Sequence, residues 1–181
     1  MLSSHFERYI YAVNEEATDV INGSGVTGAY LPELLRLLHS RVIVDAMVET
    51  GWEHRAEQLR RFMRSDAWLW DSVPPGALDH EALLTWMTAP TPRNLIRYYR
   101  YWEIEDIFRA VTRAPHTRTD LRLKLDELVR KRNNIAHGDP TTEATRIDIN
   151  AYRDATLRFC VRSDRQLARA LVRIVACPSP W

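Results

Sequence analysis

Apolar residues recur at intervals of three and four along almost the whole chain, and this spacing constrains the fold more than any other feature of the sequence. Such a period places apolar side chains on one face of an α-helix, whereas a half-buried β-strand alternates polar and apolar residues. No alternating stretch of useful length occurs in the 181 residues. The pattern therefore predicts an all-α fold, a bundle built around two or three long helices.

Clusters of glycine and proline divide this pattern into segments. The spacing predicts an N-terminal helix over residues 4–21 and a core bundle over about 32–176. The glycine-rich stretch 22–28 between them lacks the Lys-Ser/Thr of a phosphate-binding P-loop, so we interpret it as a connection between helices. A mass of 21.1 kDa is typical of one globular domain, and residues 1–181 are accordingly predicted to form a single domain.

In the first half, the second helix is predicted to begin at Pro32, and the apolar spacing allows it to continue past Gly51 to about Arg64. A short helix capped by Asp79 is expected to run through Met87.

Thr91 and Pro92 are a suitable N-cap and first-turn pair for the following segment, Leu95–Val111. This segment interleaves aromatic residues with arginines: Tyr98, Tyr99, Tyr101, Trp102 and Phe108 with Arg93, Arg97, Arg100 and Arg109. Aromatics at helical spacing fit a packed core, but interleaved arginines could also clamp and stack single-stranded RNA. The sequence leaves both interpretations open.

The last two helices have clear boundary signals. Thr119 is the expected N-cap of the first, and Gly138 the left-handed residue that ends it. Thr145 and Asp148 resemble a capping box at the start of a long C-terminal helix.

The net charge of +1 hides an uneven distribution along the chain. Residues 1–90 sum to −6 and residues 91–181 to +7, and 23 of the 25 basic residues are arginines. A basic half is the place to look for an anionic ligand, and arginine suits phosphate. An arginine-rich genome composition would account for most of these residues equally well.

Other features of the sequence indicate the cellular compartment. No apolar run approaches the roughly 18 residues of a membrane span, and no signal peptide is visible. Cys160 and Cys177 lie in one predicted helix, about 26 Å apart, which is too far for a disulfide within the chain. A soluble protein in a reducing, cytoplasmic setting is expected.

Residues 125–139 carry the most chemical information. Arg132 interrupts an apolar stripe, so its guanidinium needs an ion-pair partner, a cavity or an interface. Asn133 and His137 are four residues apart and share a helix face. Arg132 and His137 are separated by about 140° around an ideal helix, so one copy of the chain would give a sparse site.

An arginine, a polar residue, three more positions and then His-Gly at a helix end resemble the signature of the HEPN superfamily. The form Arg-Asn-x-x-Ala-His-Gly, at Arg132 to Gly138, is similar to the RiboL-PSP type of HEPN domain in bacterial conflict systems. The order of helices extends the resemblance over most of the chain, from about Pro32 to Ala176.

This resemblance implies a metal-independent endoribonuclease that needs no cofactor. Two protomers would pair in parallel through the motif helices, so that both motifs line one cleft. His137 would be the general acid or base when a ribose 2′-OH attacks the adjacent phosphodiester, and Arg132 would hold the phosphate. Asn133 would orient the phosphate or His137, a smaller role. The products would be a 2′,3′-cyclic phosphate and a 5′-OH.

The same resemblance implies RNA contacts by Arg130, Lys131 and Asn134. It suggests a toxin or phage-defence effector of the toxin–antitoxin kind, with an antitoxin or another regulatory protein as partner. Some HEPN toxins carry a tyrosine two residues after the histidine, which a nucleotidyltransferase modifies. Asp139 occupies that place here, so this modification is not expected.

Simpler interpretations stand beside these. His137 could be a helix-end residue favoured by the dipole and Asn133 a capping aid, with Arg132 an ion-pair partner of an acidic residue. The acidic candidates are Glu103, Glu105 and Asp106. A non-catalytic HEPN module that binds RNA or a protein is the alternative function, and a helical dimerisation domain with an acidic partner surface is a third. The other histidines have no zinc-site spacing, so no metal site is expected.

Overall fold

The structure is a computed structural model that describes residues 2–71 and 76–176. It is 77% helical, with eight α-helices and no strand in the part of the chain described, which confirms the all-α prediction. No helix among these residues is long and apolar enough to cross a membrane.

Eight helices follow one another along the described residues. They are α1 (Leu2–Ser24), α2 (Glu33–Glu49), α3 (Trp52–Ser65), α4 (His80–Leu84), α5 (Pro92–Arg100), α6 (Ile107–Val111), α7 (Pro115–Ala136) and α8 (Arg146–Val175). Single 3₁₀ turns occur at Gly28–Tyr30 and Ala67–Leu69.

The described residues pack as two compact units. Unit 1 takes in the described residues of Met1–Val13 and Met87–Ala168, and unit 2 takes in those of Asn14–Trp86 and Arg169–Trp181.

The core of unit 1 is aromatic and centres on Phe159 of α8. The Phe159 ring centroid lies 5.8 Å from Phe6, 6.1 Å from Tyr99 and 5.5 Å from Phe108. All five aromatic residues of the segment 95–111 are buried. They therefore serve as core, and no ring among them is presented to a base.

In unit 2, α2 packs against both α3 and α4 and buries Leu35, Leu38 and Ile43. The prediction of one helix from Pro32 to about Arg64 was wrong. Thr50 has extended backbone angles (φ −84°, ψ 140°), so α2 ends at Glu49. The second piece, α3, is amphiphilic in sequence but buries none of its residues.

Several predicted caps are confirmed. Asp79 Oδ1 accepts a hydrogen bond from the Glu81 N–H (2.9 Å), although α4 ends at Leu84 rather than Met87. Thr91 Oγ1 accepts from the Asn94 N–H (3.3 Å) at the start of α5.

Other boundaries differ from the sequence predictions. The N-terminal helix extends beyond 4–21 at both ends. The segment 95–111 is divided after Arg100, and Asp106 caps the separate helix α6. The proposed cap Thr119 lies inside α7, because Pro115 already begins that helix; the Thr119 hydroxyl donates to the Pro115 carbonyl (3.2 Å).

The two cysteines cannot be compared in the structure, because Cys177 lies outside the described residues. Burial raises the pKa of the Cys160 thiol to about 12, and the nearby Asp164 carboxylate adds to the effect.

Candidate functional site

The Arg132–His137 motif occupies the last turn of α7 and its C-cap. Gly138 follows in the left-handed region (φ 74°), its N–H donating to the Ile135 carbonyl (3.0 Å) and the Asp139 N–H to Asn134 (3.0 Å). These two bonds form a Schellman motif, as Gly138 predicts. The helix end, and with it the position of His137, is therefore set by local hydrogen bonding.

The Arg132 side chain is 47% exposed at the surface of unit 1. Its Nη1 donates to Asn133 Oδ1 (3.1 Å), and its Nη2 lies 3.9 Å from Oε2 of Glu7 on α1. The apolar stripe of α7 is buried at Leu121, Leu125 and Leu128 and leaves the core before Arg132. The guanidinium is thus available to a ligand without the cost of burial.

The ion-pair partners considered from the sequence were wrong, since the acidic residue beside Arg132 is Glu7. Asp106 instead caps α6 and pairs with Arg109 (3.6 Å). The carbonyl of Glu105 accepts a hydrogen bond from Arg100 (2.9 Å).

His137 is exposed and is the C-cap residue of α7. Its backbone N–H donates to the Asn133 carbonyl (2.9 Å), which connects the two motif residues through the main chain. Within the part of the chain described, its imidazole has no hydrogen bond or ion pair. Both ring nitrogens can therefore exchange protons with a bound substrate.

Lys131 has an internal partner. Its Nζ lies 2.8 Å from Asp148 Oδ2 and 5.7 Å from the centroid of the Tyr152 ring. The hydrogen bond with Asp148 raises the pKa of Lys131 and lowers that of Asp148. The ammonium therefore joins α7 to the first turn of α8.

The loop after the motif is closed by short-range bonds. Asp139 accepts from Thr141 and from the Thr142 hydroxyl (2.7 Å), and these hydrogen bonds lower the pKa of its carboxyl group. Asn134 Nδ2 donates to Thr142 Oγ1 (3.2 Å). Asp139 is thus a structural residue of the loop that follows His137.

The capping box predicted at Thr145 is present. The Thr145 N–H donates to Asp148 Oδ2, and the Asp148 N–H donates to Thr145 Oγ1, both at 3.1 Å. Because Asp148 also binds Lys131, the start of α8 is tied to the motif helix.

A groove of about 450 Å³ lies beside the motif in unit 1. It is lined mainly by apolar residues, with Lys131 and Arg132 as its charged members. The other lining residues are Leu2, Ser3, Leu128, Ile135, Ala136, Ala144, Ile149 and Tyr152. His137 is not among them, so the groove and the histidine are separate parts of this surface.

Sequence reasoning placed Arg130, Lys131, Arg132, Asn133, Asn134 and His137 on one helix end, where the structure also has them. It missed Glu7, Asp148 and Tyr152. The capping-box pattern singled out Asp148 for a different role, whereas no local signal connects Glu7 or Tyr152 with the motif. Among the described residues, no three His, Cys, Asp or Glu side chains are grouped so that they could hold a metal ion.

Comparison with known proteins gives one family. The model of the RiboL-PSP-HEPN family matches residues 1–169. No curated protein and no solved structure matches the chain. The match covers all eight helices except the C-terminal end of α8, and it includes the whole motif. The chain therefore belongs to the RiboL-PSP-HEPN family.

Proposed function

We propose that two copies of this chain form a metal-independent endoribonuclease whose cleft is lined by Arg132, Asn133 and His137 of each copy. The observation that carries the proposal is the end of α7, where a Schellman motif presents an exposed arginine and, among the described residues, an exposed histidine with unpartnered ring nitrogens. Family membership supports the same function.

The chemistry follows from these side chains. One His137 accepts the proton of a ribose 2′-OH as its oxygen attacks the adjacent phosphorus, and the bond to the 5′-oxygen breaks. A protonated imidazole, that of the second copy, donates a proton to the leaving oxygen. Arg132 stabilises the charge that develops on the phosphoryl oxygens. A 2′,3′-cyclic phosphate and a 5′-hydroxyl result, and Asn133 holds the Arg132 guanidinium in place.

Apolar residues around the motif support the pairing of two copies. Ile135 is 51% exposed, Ile149 48% and Ile147 81%, and the first two also line the groove. Exposed apolar side chains grouped at one site are typical of an interaction surface. Each copy has one motif histidine, so a second chain would also supply the second imidazole that the mechanism needs.

The RNA contacts divide into two kinds. Arg130 is exposed and can contact phosphate directly. Lys131 and Asn134 already bind Asp148 and Thr142, so they would contact RNA in addition to holding the loop. In the cell we infer a cytoplasmic toxin or phage-defence effector that an antitoxin or another regulatory protein restrains.

The test is cleavage of single-stranded RNA by the purified protein in excess EDTA. We expect products that end in a 2′,3′-cyclic phosphate, and no cleavage where a 2′-deoxynucleotide replaces the nucleotide that attacks. RNA that stays intact while the protein still binds it would reject the enzyme and support a non-catalytic RNA-binding module. Cleavage only with added metal would reject the mechanism.

Pairing is tested with Ile135→Glu, which places a carboxylate in the apolar surface. Sedimentation should show a monomer, and cleavage should be lost with it. Leu123→Glu is the matched control, because Leu123 is 57% exposed on the same helix but does not line the groove. A dimer that persists in Ile135→Glu would place the interface elsewhere.

A further inference from the structure

A second concave surface of unit 1 is strongly basic. It has a volume of about 420 Å³ and is lined by Arg93, Asn94, Ile96, Arg97 and Arg100 of α5 and by Arg122 of α7. We call it the arginine concavity. Four of its six lining residues are arginines and none is acidic.

The sequence of α5 produces this surface directly. Arg93, Arg97 and Arg100 follow the helical spacing of four and three, so they share one face. The opposite face buries Leu95, Tyr98 and Tyr99 in the core. Helix α5 can therefore present the arginines only on its outer side.

Local bonds hold several of these side chains in place. Arg97 Nε donates to the Tyr101 hydroxyl (2.7 Å), and Arg100 Nε donates to the Glu105 carbonyl (2.9 Å). The Arg122 guanidinium carbon lies 5.6 Å from the centroid of the Phe108 ring. Because a guanidinium carries several N–H donors, a bond at Nε or a ring against one face orients the group without using its whole capacity.

The arginines of α5 carry like charges at helical spacing. Like charges three or four residues apart on a helix repel one another by a few tenths of a kcal/mol per pair. The negative charge of a phosphate offsets this repulsion, and its oxygens match the planar fork of the guanidinium.

The surroundings favour a phosphate backbone over a base. No lining residue is aromatic, and Tyr98 and Tyr99, on the inner face of the same helix, are 1% and 0% exposed. Base recognition in single strands relies on exposed rings for stacking. Binding here would thus depend on charge and little on sequence.

Helix α7 links this surface to the motif. Arg122 and Arg132 are ten residues apart in one continuous helix, which corresponds to about 15 Å along its axis. We propose that the arginine concavity binds the phosphate backbone of the RNA substrate several nucleotides away from the bond cut at His137. That the bound polyanion is the RNA substrate rests on the proposed function. That the concavity binds phosphate rests only on its own lining residues.

The experiment measures RNA binding in the full chain carrying His137→Ala, so that cleavage does not interfere. Arg93→Gln/Arg122→Gln is compared with Arg158→Gln/Arg165→Gln, which removes the same charge from exposed arginines of α8 that do not line the concavity. The probes are a dinucleotide and a longer single-stranded oligoribonucleotide, titrated at several salt concentrations and followed by fluorescence anisotropy. Circular dichroism verifies that every variant is folded.

For the longer RNA, we expect the slope of log K against log[salt] to fall by about 1.4 in the concavity variant, roughly 0.7 for each phosphate that an arginine no longer neutralises. Binding of the dinucleotide at the motif should not change, because a dinucleotide is too short to reach from the motif to the arginine concavity. An unchanged slope, or an equal loss in the α8 control, would overturn the proposal.

The two proposals fail separately. If the wild-type protein does not cleave RNA but its binding shows this dependence on Arg93 and Arg122, the enzyme is rejected and the phosphate site stands. If it cleaves RNA and the two double variants have the same KM for long RNA, the phosphate site is rejected and the enzyme stands.

Discussion

Two histidines in this protein occupy opposite environments. His137, in unit 1, ends a helix at the surface, and its imidazole has no partner among the described residues. His39, in unit 2, is 7% exposed, with Nδ1 3.0 Å from Asp66 Oδ2 and Nε2 accepting from the Asp79 N–H (2.8 Å). Of these two, only His137 has a nitrogen available to a substrate.

A histidine paired with an aspartate can look catalytic although its ring has no nitrogen available for proton transfer. A histidine beside a buried aspartate resembles the orienting pair of a catalytic triad. In that arrangement the outer nitrogen must be free to take a proton, but in His39 it accepts a hydrogen bond from the main chain. His39 therefore holds the chain before α4 against α2, and His137 is the candidate for chemistry.

The largest expected effect is on cleavage. His137→Ala should lower kcat by about 10²–10⁴-fold, since general acid–base catalysis contributes that much, and should change the free energy of unfolding by no more than about 0.5 kcal/mol. RNA cleavage and urea unfolding of the same preparation measure the two. Retained cleavage would remove His137 from the mechanism.

At His39 we expect the opposite result, a loss of stability without a loss of cleavage. His39→Ala removes the imidazole hydrogen bond from the buried Asp66 carboxylate, which should lower the free energy of unfolding by about 1–3 kcal/mol. The folded fraction should cleave RNA at the wild-type rate per molecule. Urea unfolding checks the stability, with the exposed His54→Ala of α3 as the control. Equal stability of the two variants would contradict a structural role for His39.

A smaller effect is expected at the backbone that positions His137. Gly138→Ala forces an alanine into φ 74°, at a cost of about 1–2 kcal/mol, although its methyl group meets no atom within 4 Å. If the Schellman motif positions the imidazole, kcat should fall more than KM rises. Gly23→Ala is the matched control, because it lies within α1 and its methyl group also meets nothing. Thermal unfolding and steady-state kinetics of both variants provide the comparison.

The buried pair of His39 and Asp66 also predicts how the stability of the fold depends on pH. Burial alone would raise the pKa of Asp66, but hydrogen bonds from His39 and Ser65 outweigh burial and hold the pKa of this carboxyl group below its usual range. This contribution to stability is complete above the unfolded pKa of about 3.9 and is lost as the pH falls through the folded value. Urea unfolding between neutral and acidic pH should therefore show a shallower acid loss in Asp66→Asn than in the wild type. An acid loss as steep as that of the exposed control Asp19→Asn would contradict this assignment.

Local signals were sufficient for much of the motif region. Gly138 predicted the end of α7 and Thr145 with Asp148 the start of α8, because each signal concerns residues a few positions apart. The break at Thr50 was missed, since the apolar spacing continues across Gly51 and a helix tolerates a single glycine. The pairing of Arg132 with Glu7 could not be predicted, because it depends on how α1 packs beside α7 in unit 1.

Substitution of Glu7 has the smallest expected effect of these changes, and it tests the Arg132 site most directly. Its carboxylate lies 3.9 Å from the guanidinium, with 31% of the side chain exposed, so the pair contributes no more than about 1 kcal/mol to stability. If Arg132 binds an RNA phosphate as proposed, the same carboxylate competes with that phosphate for the guanidinium and repels it. Glu7→Gln should therefore lower KM severalfold at low salt, with little change in kcat or in the urea midpoint, and the gain should shrink as salt screens the charges. The exposed Glu16→Gln of α1 removes the same charge at another place. If both variants lower KM equally, the effect is one of net charge, and Arg132 loses its assigned contact with the phosphate.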